Sequence, residues 1–208
     1  MRPQKIEPEA QSDRSAARAE LARAEEAIGH WLHRAADVIR AVDPAAVARA
    51  VHALAGVRDR DSIIYTAGNG GSASTASHLA LDLQKGPSSP HAVATRAIAL
   101  SDNVGLLTAW GNDASYERVF AEQLGVLARP GDGLVVISVS GASPNLLALV
   151  EVARQKEVTS VGLLGRDGGP LGALVDAAVV VPSSDMGWVE GAHVVLHHVL
   201  SYALRARA

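Results

Sequence analysis

Short apolar runs and helical patterns alternate along most of the chain, and this alternation constrains the fold more than any other feature. Nearly continuous apolar runs are typical of strands that are buried on both faces of a parallel sheet. We expect five strands, at residues 62–67, 95–100, 134–138, 159–164 and 177–181. Helices are predicted near residues 72–84, 103–109, 115–128, 144–156 and 187–205. The sequence therefore predicts an α/β protein, a three-layer α/β/α sandwich around a five-stranded parallel sheet.

Helices are also predicted ahead of the sheet. From Asp13 to Val42, apolar side chains recur at steps of three and four residues. A second helix restarts at Asp43, an N-cap residue followed by a proline, and runs to about Leu54. The long first helix has an apolar stripe along one side, and we expect a partner subunit to cover this stripe. We divide the chain into a flexible polar tail (1–12), N-terminal helices for oligomerisation (13–56) and an α/β domain (57–208).

Charge and residue usage exclude several classes of function. The net charge is −3 with both signs mixed and no basic block, which argues against a nucleic-acid partner. No apolar run approaches the ~20 residues of a membrane helix, and the N-terminus is polar, so we expect neither a membrane span nor a signal peptide. The chain has no cysteine, which excludes disulfides and thiolate sites and fits a cytoplasmic location.

Two predicted strands end in turns that are rich in glycine and serine. The first turn is Gly68-Asn69-Gly70-Gly71-Ser72, whose spacing is neither that of a dinucleotide fold nor that of a P-loop. The second runs from Ser138 to Ser143 and leads into a helix that begins with a proline. Glycine allows close backbone approach, and a helix N-terminus favours an anion. Because ligands bind at the carboxyl ends of parallel strands, the two turns predict a phosphosugar site. The alternatives are a tight structural turn and simple helix capping by Ser143.

Two of the predicted helices carry groups of ionisable side chains. His78 and Asp82 are four residues apart, about 6 Å along a helix axis, which suits a metal site, an acid–base pair or a plain surface ion pair. The last predicted helix is otherwise apolar and carries Glu190, His193, His197 and His198. Buried imidazole and carboxylate groups need partners, and together they suit zinc or another divalent ion. Since His197 and His198 cannot share one helix face, we expect at least one of them to lie outside any site.

Together these segments resemble the SIS (sugar isomerase) domain family, and within it the phosphoheptose isomerases and the related replication-initiator-associating proteins. The resemblance covers roughly residues 13–206 and is strongest in the two turns and in Gly111-Asn112-Asp113. Family members bind a phosphosugar through the two turns. The matching substrate-binding candidates in these turns are Asn69, Gly70, Ser72, Ser138, Val139, Ser140 and Ser143. Asp102, which closes another predicted strand, matches a substrate-contacting aspartate of the family.

The resemblance also implies a zinc site. Phosphoheptose isomerases have one pair of ligands four residues apart after the glycine turn and a second pair eight residues apart in the last segment. The matching metal ligands are His78, Asp82, Glu190 and His198. This match selects His198 over His197.

Three positions depart from the family pattern. Asp82 replaces a glutamate and shortens the carboxylate by one methylene, and Glu190 replaces a glutamine and adds a second negative charge. Gly86 stands where an arginine is expected, with Lys85 beside it as the substitute cation. Positions eight residues apart on one helix are about 12 Å apart along its axis. Glu190 must therefore lie at or before the first helical turn to share a metal with His198.

The resemblance implies an aldose–ketose isomerase that acts on a phosphorylated heptose or octose, such as sedoheptulose 7-phosphate. The reaction would pass through a metal-assisted cis-enediol, with Asp82 as the catalytic base and His198 as the acid. A homotetramer and a role in carbohydrate metabolism are also implied. The alternative is a non-catalytic SIS module that binds a phosphosugar or a protein such as a replication initiator. The enzyme is favoured because all four metal positions carry side chains that can coordinate.

Overall fold

Five parallel strands form the sheet of the computed structural model, which describes residues 8–85 and 94–205. In chain order they are β1 (Ile64–Gly68), β2 (Ala97–Ala99), β3 (Gly133–Ser138), β4 (Thr159–Gly165) and β5 (Ala177–Val181). Their lateral order is β2-β1-β3-β4-β5, and every neighbouring pair is parallel. The five predicted strands and their parallel arrangement are confirmed. The strand order reverses between β1 and β3, which is where open α/β sheets bind ligands.

Helices cover both faces of this sheet. In chain order, the α-helices of the described residues are α1 (Pro8–Arg40), α2 (Pro44–Asp59), α3 (Gly71–Lys85), α4 (Val104–Asp113), α5 (Ala121–Leu127), α6 (Pro144–Gln155), α7 (Gly169–Leu174) and α8 (Met186–Arg205), and those from α2 onward belong to the same compact unit as the sheet. The predicted helix 115–128 is divided into a short 3-10 helix, Tyr116–Arg118, and α5. Helix α7 was not predicted. The three-layer α/β/α architecture is confirmed.

Alternating residues of the strands supply two hydrophobic cores, one on each side of the sheet. In β3, Val135 and Ile137 belong to the core that includes residues of α2, α3 and α8. Leu134 and Val136 belong to the opposite core, which includes residues of α5 and α6. This division follows the two-residue period of a strand, and all of β3 is buried because both faces are covered.

The chain divides into two compact units, one up to Asp37 and one from Val38 onward. The first unit consists of most of α1 and exposes the large apolar side chains Leu21, Ile28, Trp31 and Leu32. The second contains α2 and the sheet. Residues 8–12 of the predicted tail are helical, and its residues 1–7 lie outside the described residues. Among the described helices, none combines the length and the apolar character needed to span a membrane.

His193, on α8, is fully buried, and neither ring nitrogen has a hydrogen-bond partner among the described residues. Burial lowers the pKa of His193 from 6.5 to about 4, against a smaller opposing effect of the Leu164 backbone. The unfolded chain, whose histidine pKa is near 6.5, therefore binds this proton first as the pH falls. The stability that depends on a neutral His193 is complete above pH 6.5 and is lost as the pH falls towards 4.

We expect His193→Leu to weaken this pH dependence. Leucine fills the buried site without a titratable group, so the variant should gain stability relative to the wild type by up to ~3 kcal/mol between pH 6.5 and pH 4. Urea unfolding of both proteins at several pH values in this window measures the difference. Parallel stability curves for the two proteins would show that His193 does not titrate on unfolding.

Candidate functional site

The turns that follow β1 and β3 meet at the switch point of the sheet and line a cleft of about 350 Å³, which we call the serine cleft. Seven of the eight substrate-binding residues predicted from the sequence line it: Asn69, Gly70, Ser72, Ser138, Val139, Ser140 and Ser143. Parallel strands with adjacent carboxyl ends explain this convergence, since β1 and β3 are hydrogen-bonded neighbours. The structure thus brings together two turns that are about seventy residues apart in the chain.

The serine hydroxyls of the second turn are arranged to donate to a ligand. Ser138 Oγ accepts a hydrogen bond from the Gly141 amide at 3.1 Å, and Ser140 Oγ accepts one from the Ala142 amide at 3.2 Å. A hydroxyl whose oxygen accepts in this way keeps its own proton for an acceptor elsewhere. Ser143 occupies the N-cap position of α6 but makes no side-chain capping bond. The arrangement therefore offers hydroxyl donors at a helix N-terminus, which suits an anionic group.

Two charged side chains also line the serine cleft. Arg166 directly follows β4, has a left-handed backbone with φ of 57°, and forms no ion pair within residues 8–85 and 94–205. Sequence reasoning missed Arg166, although its position at the carboxyl end of a strand next to β3 was a usable signal. Glu190 packs against Gly71, where a Cβ would lie 2.6 Å from the carboxylate oxygen Oε1. The cleft thus carries one cation and one carboxylate.

A second group of ionisable side chains, His78, Asp82, His197 and His198, lies between α3 and α8, and we call it the histidine cluster. Asp82 Oδ2 is 3.1 Å from His198 Nδ1 and 3.8 Å from His197 Nδ1, and Asp82 Oδ1 is 3.9 Å from His78 Nε2. The ring centroids of the three histidines are 4.0 to 5.0 Å apart. One carboxylate thus lies within 4 Å of three imidazoles.

The histidine cluster fits a divalent metal ion. Ligand nitrogens of His78, His197 and His198 all lie within 4.8 Å of one another. Atoms bound to one tetrahedral zinc at ~2.1 Å are roughly 3.4 Å apart, a spacing that the Asp82–His198 pair approaches. Both ring nitrogens of the fully buried His197 lack a hydrogen-bond partner among the described residues. Burial, with the neighbouring His198 and His78, lowers the pKa of His197 to about 4, while Asp82 acts in the opposite direction. His197 is therefore neutral at pH 7, the form that binds metals.

Two residues lie in positions that the sequence did not indicate. Glu190 and His198 both lie within α8, so they are separated by about 12 Å along the helix axis, and Glu190 lines the serine cleft of its own chain. His197 lies in the histidine cluster beside His198, although the two were not expected to share a site. Adjacent helix positions differ by about 100°, but His78 and Asp82 of α3 approach the edge between them and contact both rings.

Asp102 lies outside the serine cleft and beside the histidine cluster. It lines a wider cleft of about 700 Å³ together with His78, Ser77 and Lys85. The Ser77 hydroxyl donates to the Asp102 carboxylate. Gly86, where the family arginine was expected, lies outside the described residues, while Lys85 contributes a cation to this wider cleft.

Comparison with known proteins identifies relatives of this chain. The family model of the SIS domain matches residues 30–165. The phosphoheptose isomerase of Trichlorobacter lovleyi is 43% identical over 138 residues, which cover 64% of this chain and 67% of that protein. The phosphoheptose isomerase of Geotalea daltonii is 38% identical over 161 residues, which cover 77% of this chain and 83% of that protein. The solved structure of phosphoheptose isomerase from Neisseria gonorrhoeae has a TM-score of 0.79 at 30% identity, covering 86% of this chain and 97% of that one.

Proposed function

Because the chain belongs to the SIS domain family and is a sugar phosphate isomerase of the phosphoheptose isomerase type, we propose that its substrate is a phosphorylated ketose of seven or eight carbons, such as sedoheptulose 7-phosphate. The observation that carries the mechanism is the contact of 3.1 Å between Asp82 Oδ2 and His198 Nδ1 within the histidine cluster. A carboxylate and an imidazole in hydrogen-bond contact supply the base and the acid that an aldose–ketose isomerisation needs.

The proposed reaction removes a proton from one carbon of the open-chain sugar and adds a proton to the neighbouring carbon. Asp82 removes a proton from C1 of the ketose while His198 donates a proton to O2, which gives a cis-enediol. His198 then takes the proton of O1, and Asp82, whose acquired proton exchanges with water while the enediol is bound, delivers a proton to C2, which gives the aldose. Both side chains end in their starting protonation states. Positioned acid–base groups of this kind contribute typically ~10²- to 10⁴-fold to a rate.

We propose His78, Asp82 and His198 as ligands of a divalent metal ion, and zinc matches them best because it prefers imidazole and carboxylate ligands. When bound, such an ion polarises the oxygens on C1 and C2. His197 is the added candidate within the histidine cluster, because its ring is neutral, buried and unpartnered among the described residues. Glu190, the fourth ligand that the family resemblance implies, lines the serine cleft of the same chain.

We propose that the phosphate of the substrate binds in the serine cleft, to the hydroxyls of Ser138, Ser140 and Ser143 and with Arg166 as the countercharge. We expect Ser140→Ala to weaken binding of sedoheptulose 7-phosphate by roughly 10- to 100-fold, since one charged hydrogen bond contributes ~1.5–3 kcal/mol. Titration calorimetry measures this loss. The substitution Ser183→Ala, outside the cleft lining, is a control that should keep wild-type affinity. Unchanged affinity of the Ser140 variant would make the phosphate assignment wrong.

An assay of the purified protein tests the proposed activity. Incubated with sedoheptulose 7-phosphate, the wild type should form an aldose phosphate, lose activity with a chelator, and regain it when zinc is added back. A matched sample with a phosphorylated hexulose tests the preference for longer sugars. Binding of the sugar phosphate without any turnover by the metal-loaded protein would instead support the non-catalytic phosphosugar-binding module.

We also propose that the enzyme is a cytoplasmic homotetramer whose subunit contacts complete the site, as the family resemblance implies. The support is the stripe of exposed apolar side chains on α1, where Trp31 is 55% and Leu32 is 68% exposed. Exposed apolar patches of this kind mark interaction surfaces. Multi-angle light scattering should give four times the mass of one chain at micromolar concentration. A monomer at that concentration would contradict the proposal.

A further inference from the structure

Two asparagine side chains join the turns that follow β1 and β3. Asn69 lines the serine cleft, and Asn145, the second residue of α6, is only 3% exposed behind it. Asn69 Nδ2 donates to Asn145 Oδ1 at 2.9 Å, and Asn145 Nδ2 donates back to Asn69 Oδ1 at 2.8 Å. The Tyr116 hydroxyl donates to the same Asn69 Oδ1 at 3.1 Å. Neither Asn145 nor Tyr116 was among the residues that the sequence singled out.

These bonds leave the Asn69 amide with one unused group. A primary amide has two acceptor lone pairs on its oxygen and two N–H donors on its nitrogen. Both lone pairs of Asn69 Oδ1 are occupied, one by Asn145 and one by Tyr116. One N–H of Asn69 Nδ2 is occupied by Asn145 Oδ1. The second N–H remains, and the paired oxygen fixes which end of the amide is the donor.

We propose that Asn145 and Tyr116 are positioning residues that hold Asn69 as a pure donor, so that its remaining N–H binds an acceptor oxygen of the sugar phosphate. The inference rests on the proposed function, in which the serine cleft binds that ligand. It follows that Asn69 donates to a phosphate, carbonyl or hydroxyl oxygen of the ligand and cannot accept a hydrogen bond from a sugar hydroxyl. Freed from its partners, the amide could turn and offer either end, and this selectivity would be lost.

A double-mutant cycle tests whether Asn145 acts through Asn69. We would measure the affinity for sedoheptulose 7-phosphate by calorimetry in the wild type, Asn69→Ala, Asn145→Leu and the double variant. Asn145→Leu should weaken binding roughly 3- to 10-fold, the equivalent of one neutral hydrogen bond. In the Asn69→Ala background it should cause no further loss, because the group that it positions is gone. Independent, multiplicative losses in the double variant, or wild-type affinity of Asn145→Leu, would overturn the inference.

Two further variants separate positioning from folding. Tyr116 is 64% exposed, so Tyr116→Phe removes one hydroxyl without disturbing a core, and it should weaken binding roughly 2- to 5-fold only when Asn69 is present. Gln123 is as buried as Asn145, and its amide donates to the Val119 carbonyl. Gln123→Leu should therefore lower the melting temperature and leave the affinity unchanged. Equal affinity losses in the Gln123 and Asn145 variants would indicate a general structural effect and overturn the inference.

The cycle also distinguishes failure of this inference from failure of the proposed function. If the wild type does not bind sedoheptulose 7-phosphate, the proposed substrate is wrong, and the same cycle with inorganic phosphate as the probe decides the positioning role. If the wild type binds the sugar phosphate and Asn69→Ala binds it equally well, Asn69 makes no contact and the inference fails while the function stands.

Discussion

Replacing Asp82 by asparagine should lower kcat for sedoheptulose 7-phosphate by roughly 10²- to 10⁴-fold. Asparagine keeps the size and shape of the side chain but cannot remove a proton from C1. The carboxylate contacts His198 at 3.1 Å, so the same substitution also replaces the charged partner of that imidazole by a neutral amide. Initial rates at saturating substrate, with metal content measured on the same samples, give the effect on turnover.

Two controls define what this result means. Asp82→Glu restores the longer carboxylate of the family and should keep measurable turnover, because the basic group is retained. Asp59→Asn changes an exposed carboxylate at the end of α2 that pairs with Arg58, and it should leave the rate unchanged. A wild-type rate for Asp82→Asn would exclude Asp82 as the base.

Replacing Gly141 by alanine should destabilise the protein by more than ~4 kcal/mol and abolish phosphate binding. Gly141 has a φ of +62°, which L-residues with a side chain rarely adopt. An added Cβ would also lie 2.0 Å from the carbonyl oxygen of Gly168, which is backbone and cannot rotate away. Either the loop from Ser138 to Ser143, which lines the serine cleft, or the turn at Gly168, two residues after the cleft residue Arg166, must move. Urea unfolding measures the loss of stability.

Two other glycines distinguish the cost of the left-handed backbone from the cost of the close contact with Gly168. Gly70 has a φ of +55° with no atom near the added Cβ, so Gly70→Ala should cost only ~1–2 kcal/mol of backbone strain. Gly191 lies in α8 with open space around the added Cβ, so Gly191→Ala should stabilise by ~0.5–1 kcal/mol. If Gly141→Ala destabilised no more than Gly70→Ala, the close contact with Gly168 would not exist in solution.

The sheet was predictable because its central strands β1, β3 and β4 are buried on both faces and so read as continuous apolar runs. Helix α7 was not predictable by the same means. It is six residues long, begins at Gly169 and contains Pro170 and Gly172, so it has neither the length nor the periodicity that identifies a helix. Its start depends on Gly168 in a left-handed conformation, which the sequence of a glycine-rich turn leaves open.

The serine cleft was predictable because both of its turns follow strands that pair side by side. The histidine cluster was only partly predictable from the sequence. Spacing along α3 relates His78 to Asp82, but whether α8 presents His197, His198 or both depends on the angle at which the two helices pack. The Asn69–Asn145 pair lies beyond local patterns for the same reason, since it links positions 76 residues apart.

Proton exchange with solvent tests the central claim most directly. The wild type should be incubated with sedoheptulose 7-phosphate in deuterium oxide, and the products analysed by NMR. Transfer by Asp82 through an enediol predicts deuterium at C2 of the aldose and at C1 of the recovered ketose, and no label in either with Asp82→Asn. An aldose product free of deuterium, or no conversion by the folded, metal-loaded wild type, would contradict the account.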